Sequence, residues 1–305
     1  MKIGIMIGAD RVGSSVTEVS NLALEAEKAR FDSVWMAHIR SLDAISALSI
    51  AGEKTSKIEL GTAVTPVQPR HPMALAQQAM TASQICEGRF TLGIGLSHKV
   101  VIEGMLGLSY DRPARYMRDY LGALLMLIEG KESTYIGELF EVKNLKIDIP
   151  QVVKLPVVVA ALGPKMLEIA GTMTEGTSTW MTGPKTLENH VVKLIQAAAE
   201  KVGRSSPRVI AGFPVVLTNK IGACKDKLEK SLAIYGELPS YRSMLDKEGL
   251  STPADLALIG DEEFLIEKIA SIRSSGVTDL NAAIMGLEKG GFARTFEFLS
   301  SLASH

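Results

Sequence analysis

Short apolar runs alternate along this chain with longer stretches whose apolar positions recur at helical spacing, the signature of repeated βα units around a parallel sheet. Lys2 to Ile7 predicts a first strand, and Ser15 with Glu18 forms a capping-box pattern ahead of an apolar stripe at Val16, Val19, Leu22, Ala23, Ala26 and Ala29. Ser33 to Ala37 predicts a second strand with a helix over Asp43 to Ala51. Ile58 to Val64 predicts a third, followed by a helix that Pro72 opens with His71 as its N-cap. Arg89 to Gly95 is strand four; after it come a glycine-rich loop, a helix near Arg115 to Ile128, and a small hairpin inserted over Tyr135 to Ile149. Pro156 to Ala161, Thr177 to Met181, Val209 to Leu217 and Leu280 to Ile284 supply the remaining strands, with helices beginning near Pro164, Pro184, Gly222 and Asp261. The unbroken apolar run Val157 to Ala161 is what a parallel strand buried on both faces requires. Gly236 to Gly260 is polar, contains Pro239 and Pro253, and reads as a long excursion after strand seven. The pattern predicts an α/β fold: one (β/α)₈ TIM-barrel domain with insertions over residues 1–305.

Composition narrows the partners. At 46% hydrophobic and 22% charged the chain has the make-up of a globular enzyme, and its 33 basic and 34 acidic residues leave a formal net charge of -1. Neither a nucleic-acid footprint nor an attraction to anionic membranes follows, so small molecules are the expected partners. Cys86 and Cys224 lie far apart inside predicted helices, which fits a reducing cytoplasm. The apolar start, Met1 to Ile7, lacks a signal-peptide pattern, and no apolar run approaches the length of a membrane span.

In such a barrel the strand ends converge on a C-terminal mouth, which is where chemistry is expected. Those ends offer Gly8, Ala9, Asp10 and Arg11; His38 and Arg40; Thr65, Gln68, Arg70 and His71; and Ser97, His98 and Lys99. A metal site is not expected, since no His-x-His follows strand one and no Asp ends strand eight. Nucleophilic hydrolysis lacks a Gly-x-Ser-x-Gly elbow, and neither cysteine ends a strand. Two consecutive turns match, Gly163-Pro164-Lys165 and Gly183-Pro184-Lys185. Each sets unpaired helix-start amides at the rim, either as a phosphate cradle or simply as an efficient βα turn. Gly93, Gly95 and Gly61, with Thr62-Ala63, Ala160-Ala161 and Gly163, outline a wall of small residues on which a large flat ligand could lie, although strand glycines also serve barrel corners.

These residues resemble the luciferase-like monooxygenase superfamily, and within it the branch that uses the deazaflavin coenzyme F420. The resemblance rests on Phe31-Asp32-Ser33-Val34-Trp35, on Leu60-Gly61-Thr62-Ala63-Val64 with Arg70-His71-Pro72, and on Gly88 through Gly93-Ile94-Gly95-Leu96-Ser97-His98. Ala160 to Pro164 and Gly171 through Gly176 to Trp180 extend it to the fifth and sixth units. It implies a cofactor ring resting on a bulge after strand three, with a non-prolyl cis peptide at or near Ala63-Val64. It implies a phosphate by Ala161, Gly163, Thr182 and Gly183. With the small-residue wall, the expected cofactor contacts are Gly8, His38, Thr62, Ala63, Val64, Gly95, Leu96, Ser97, His98, Ala160, Ala161, Leu162, Gly163, Trp180, Met181, Thr182 and Gly183.

The implied chemistry is hydride transfer between deazaflavin C5 and an unidentified small molecule, with His38 or His98 supplying a proton or stabilising developing negative charge, although His98 could equally anchor its loop by hydrogen bonds. His38 holds the place of a ring-facing group in relatives, yet Met36-Ala37-His38 departs from the acidic residue many of them carry there, and pairing with Asp43 is an alternative role. Two other readings stand beside this one: an FMN-dependent monooxygenase that uses reduced flavin and oxygen, and a non-catalytic flavin-binding barrel. The resemblance also implies a homodimer.

Overall fold

The structure, a computed structural model, describes residues 1–8, 14–150 and 153–303. Eight parallel strands close on themselves: β1 (Lys2–Ile7), β2 (Ser33–Met36), β3 (Glu59–Thr62), β4 (Phe90–Gly95), β5 (Val157–Val159), β6 (Gly176–Trp180), β7 (Arg208–Leu217) and β8 (Asp279–Ile284). Neighbours in the barrel are neighbours in sequence, and β8 pairs back onto β1. This is the predicted TIM barrel, with strand boundaries shifted by a few residues.

Local chemistry sets the helix starts where the sequence placed them. Ser15 accepts from the Glu18 amide at 3.1 Å, Asp43 caps the helix Ala44–Lys54 through Ser46, and His71 Nδ1 accepts from Met73 ahead of Pro72–Ile85. The predicted hairpin is an antiparallel pair, Ser133–Ile136 with Glu141–Leu145.

The region from Gly236 to Gly260 needs correcting. It holds the end of a helix, Ile221–Glu237, then a second helix, Pro239–Glu248, a short turn at Pro253–Leu256, and a ninth parallel strand, Leu258–Gly260, laid on β7 outside the barrel. The helix Pro239–Glu248 buries only Met244 and Leu245, so its solvated face dominates the composition and hides it from an apolar pattern.

Side chains alternate along each strand between helices and bore. Outward residues such as Ile3, Ile5, Val34, Leu60 and Leu92 join the main core. At the N-terminal end of the bore, Arg208 of β7 reaches across to Glu59 of β3 at 2.7 Å and bonds Asp279 of β8. Above this layer Trp35 is fully buried with Val158 and Ile210, its indole N–H donates to Ser33 Oγ at 2.9 Å, and the Arg208 guanidinium lies 5.8 Å from its ring. Gly61 neighbours Trp35 in register, and a Cβ there would run into the indole.

Gly61→Ala should therefore cost about 1–3 kcal/mol through overpacking. Gly163→Ala, whose Cβ would meet open space, is the control and should stay within about 0.5 kcal/mol. Urea unfolding measures both, and equal losses would contradict the packing account.

Candidate functional site

The β3–β4 ladder runs for two pairs, Leu60 with Phe90 and Gly61 with Thr91, and resumes at Thr65 with Ile94. Between them the chain bulges, and the Ala63–Val64 peptide is cis, at the position the resemblance indicated. The Thr62 hydroxyl restores the missing ladder bonds, donating to Gly93 O at 2.6 Å and accepting from Gly93 N at 2.9 Å. Gly93 and Gly95 are small for this reason. A Cβ at Gly93 would collide with Thr62 O, and one at Gly95 would lie 2.6 Å from the Val64 side chain. The expectation that these two glycines leave room for a ligand is corrected: protein fills that space, and the half-buried Ala63 and Val64 form the surface instead.

His38 ends β2 in a polar cluster. The Ala44 amide lies 3.3 Å from Nδ1 and the Arg70 guanidinium 3.2 Å from Nε2, which is 3.8 Å from Asp43 Oδ2. Arg70 donates to the same carboxylate at 2.8 Å, and Gln78 to its other oxygen. Burial and the Arg70 charge push the His38 imidazole below its ordinary value, outweighing Asp43. Burial raises the Asp43 carboxyl, but bonds from Ser46 and the charges of His38 and Arg70 hold it below the usual range. Ala44 N–H and the Arg70 guanidinium are both donors, so the neutral His38 ring accepts from one of them and turns its own N–H toward the other.

The His98 imidazole, just past β4, makes no hydrogen bond to a described residue, and burial holds it below its ordinary value. Its ring lies 5.5 Å from Tyr241, which meets Tyr235 at 5.3 Å, which in turn meets Trp180 of β6 at 6.2 Å. The two excursion helices thereby lay an aromatic row over one side of the mouth. Tyr110 adds a bond to Ser97 O at 3.2 Å, beneath a backbone at φ +56°.

The matching Gly-Pro turns differ in state. At the second, Glu248 accepts from the Thr186 amide at 2.7 Å and hydroxyl at 2.6 Å and from the Lys185 amide at 3.2 Å, and its carboxylate fills the space beside Gly183. Half of the expected phosphate cradle is therefore filled by the chain's own anion. At the first, Gly163 caps the helix Pro164–Met173 with no side-chain bond and open space around it. The Ala161 amide, expected near phosphate, donates to Thr177 Oγ1 at 3.2 Å.

Of the expected contacts, Gly8, His38, Ala63, Val64, Ser97, His98, Ala160, Leu162 and Trp180 are half-buried and Gly163 is exposed. Thr62, Gly95, Leu96, Ala161, Met181, Thr182 and Gly183 are buried, and Met181 packs with Val216, Leu228 and Leu245 beneath the excursion helices. Ala9, Asp10 and Arg11 lie outside the described residues. Tyr110, Tyr235, Tyr241 and Glu248 escaped sequence reasoning; the spacing of Tyr241, Met244 and Leu245 was the one available signal. Among the described residues no three His, Cys, Asp or Glu side chains are placed to hold a metal ion, and no helix is long and apolar enough to cross a membrane. The half-buried Ala63–Val64 surface and the open helix start at Gly163 both follow C-terminal strand ends of the barrel.

Residues 1–279 match the family described as luciferase-like monooxygenase. A 5,10-methylenetetrahydromethanopterin reductase of Archaeoglobus fulgidus is 34% identical over 239 residues, 75% of this chain and 69% of that one. Among solved structures, an F420-dependent secondary alcohol dehydrogenase in complex with an F420–acetone adduct superposes with a TM-score of 0.84 at 18% identity, covering 99% of this chain and 98% of that one. A coenzyme F420-dependent tetrahydromethanopterin reductase from Methanopyrus kandleri gives 0.78 at 20% identity, covering 98% and 97%. At these identities the two structures establish the shared fold.

Both imidazoles sit below about 6.5 in the folded chain, so the unfolded chain binds more protons as pH falls through that value. The stability they contribute is complete above about 6.5 and is lost on acidification. Urea unfolding between about pH 7 and pH 5 should show a shallower decline for the His38→Asn, His98→Asn double variant than for the parent; equal slopes would show that neither ring is depressed.

Proposed function

Because the chain belongs to the luciferase-like monooxygenase family, we propose that it is an oxidoreductase that holds coenzyme F420 across the C-terminal mouth and acts on a small molecule. The observation that carries this reading is the half-buried Ala63–Val64 bulge, presented at the mouth together with the open helix start at Gly163. When bound, the deazaflavin supplies or accepts hydride at C5.

The protein's own groups do the rest. Ala63, Val64 and Ser97 seat the ring against backbone, and the Gly163 helix start holds the phosphate through amides and dipole. The row Trp180, Tyr235 and Tyr241 excludes water from the face above. His98, whose ring is held below its ordinary value by burial and makes no hydrogen bond to described residues, donates or takes the proton that accompanies hydride transfer. His38 ties the loop after β2 to the next helix by accepting from the Ala44 amide, and it supports the site rather than moving the proton. Cys86 and Cys224 are buried free thiols, which supports placement in a reducing cytoplasm. A homodimer is carried by the family resemblance alone. The pterin-type substrates of the reductase relatives are the first to try.

Titration with oxidised F420 and with FMN, followed by their spectra, tests the reading. F420 should bind at least tenfold more tightly; tighter binding of FMN would move the chain to the flavin-dependent monooxygenases. With a turned-over substrate, His98→Ala should lower kcat by about 10²-fold, and His38→Ala by less than tenfold. The reverse order would exchange the two roles.

A further inference from the structure

The segment between β5 and its helix has no regular structure, yet two side chains of the sixth unit hold it. Thr177 of β6 donates to Val159 O at 2.8 Å and accepts from the Ala161 amide. One residue further on, His190 Nε2 lies 2.8 Å from Leu162 O. A carbonyl only accepts, so Nε2 is the donor in this bond.

His190 reaches this carbonyl from a π-helical turn, Leu187–Val192, set inside the helical run that starts at Pro184. A π turn adds a residue to the repeat and rotates the side chains after it, and such turns collect at functional sites because ordinary spacing does not meet the need there. Without the extra residue, the position facing Leu162 would belong to a different side chain.

Leu162 is followed directly by Gly163, whose helix start is the one left open. A bond to the Leu162 carbonyl fixes the peptide plane that enters this helix, and hence the direction in which the first-turn amides point. We propose that His190 is a positioning residue that aims the Gly163 helix start at the phosphate of the bound cofactor. This rests on the cofactor placement proposed above.

The test compares His190→Leu, which removes the donor, with His190→Gln, which keeps one. His190→Leu should weaken oxidised F420 by about tenfold, the ordinary consequence of one lost hydrogen bond. It should leave the phosphate-free deazaflavin riboside fragment within about twofold, and His190→Gln should recover most of the loss. In the cofactor-free protein, amide exchange over residues 160–167 should accelerate in His190→Leu alone. Unchanged F420 affinity, an equal loss for the fragment, or unchanged exchange in the leucine variant overturns the inference while the proposed function stands. A parent chain that binds neither F420 nor FMN overturns the proposed function itself, and the phosphate role of His190 with it.

Discussion

Side chains fill the bore of an eight-stranded barrel in layers, and the largest of them, Trp35, is fully buried there with Val158 and Ile210. Everything inside the barrel is arranged around it. Gly61 beside it must lack a side chain, Ser33 must accept its indole hydrogen, and the Arg208 guanidinium stacks beneath, anchored to Glu59 and Asp279. This half-buried cation is neutralised by carboxylates from two strands. With charge below and an indole above, side chains fill the N-terminal half of the bore.

At the C-terminal mouth the next constraint is the interrupted ladder between β3 and β4. Inserting residues into one strand strands the backbone groups of its partner, and an unsatisfied buried amide costs about 1–3 kcal/mol. Thr62 resolves this with a single hydroxyl that serves both the N–H and the C=O of Gly93. The side chain that looks like a ligand contact in the sequence is thus a substitute for backbone. It frees Ala63 and Val64 to face outward, and the glycines at 93 and 95 make space for the bulge itself.

The eight strands and most helix starts were legible because each depends on residues within one turn or one strand: fully buried runs, Ser15, Asp43, His71 ahead of Pro72. Pairings across the fold were not. Glu248 meets Thr186 from 62 positions away, and Thr177 and His190 meet the β5 end from 18 and 28. The helix that carries Glu248 and Tyr241 was lost for a different reason, since its exposed polar face outweighs a short apolar edge. Gly93 and Gly95 were correctly singled out as places where bulk is forbidden, but a sequence shows only that space is needed. Whether backbone or ligand takes the space is decided by a bulge 31 residues earlier.

The paired Gly-Pro turns carry this lesson into electrostatics. Identical tripeptides, Gly163-Pro164-Lys165 and Gly183-Pro184-Lys185, begin helices at neighbouring strand ends, and in isolation each would attract an anion through free amides and the positive end of the helix dipole. Among the described residues only the second receives one, because Pro239–Glu248 ends with a carboxylate within reach of Lys185 and Thr186. That carboxylate satisfies the local donors and repels any further anion, so the field at the second turn is largely cancelled. The first turn keeps its field, its open space and a backbone held by Thr177 and His190. A phosphate arriving at this rim therefore meets one attractive helix start, not two, and the asymmetry comes from a residue that neither turn contains.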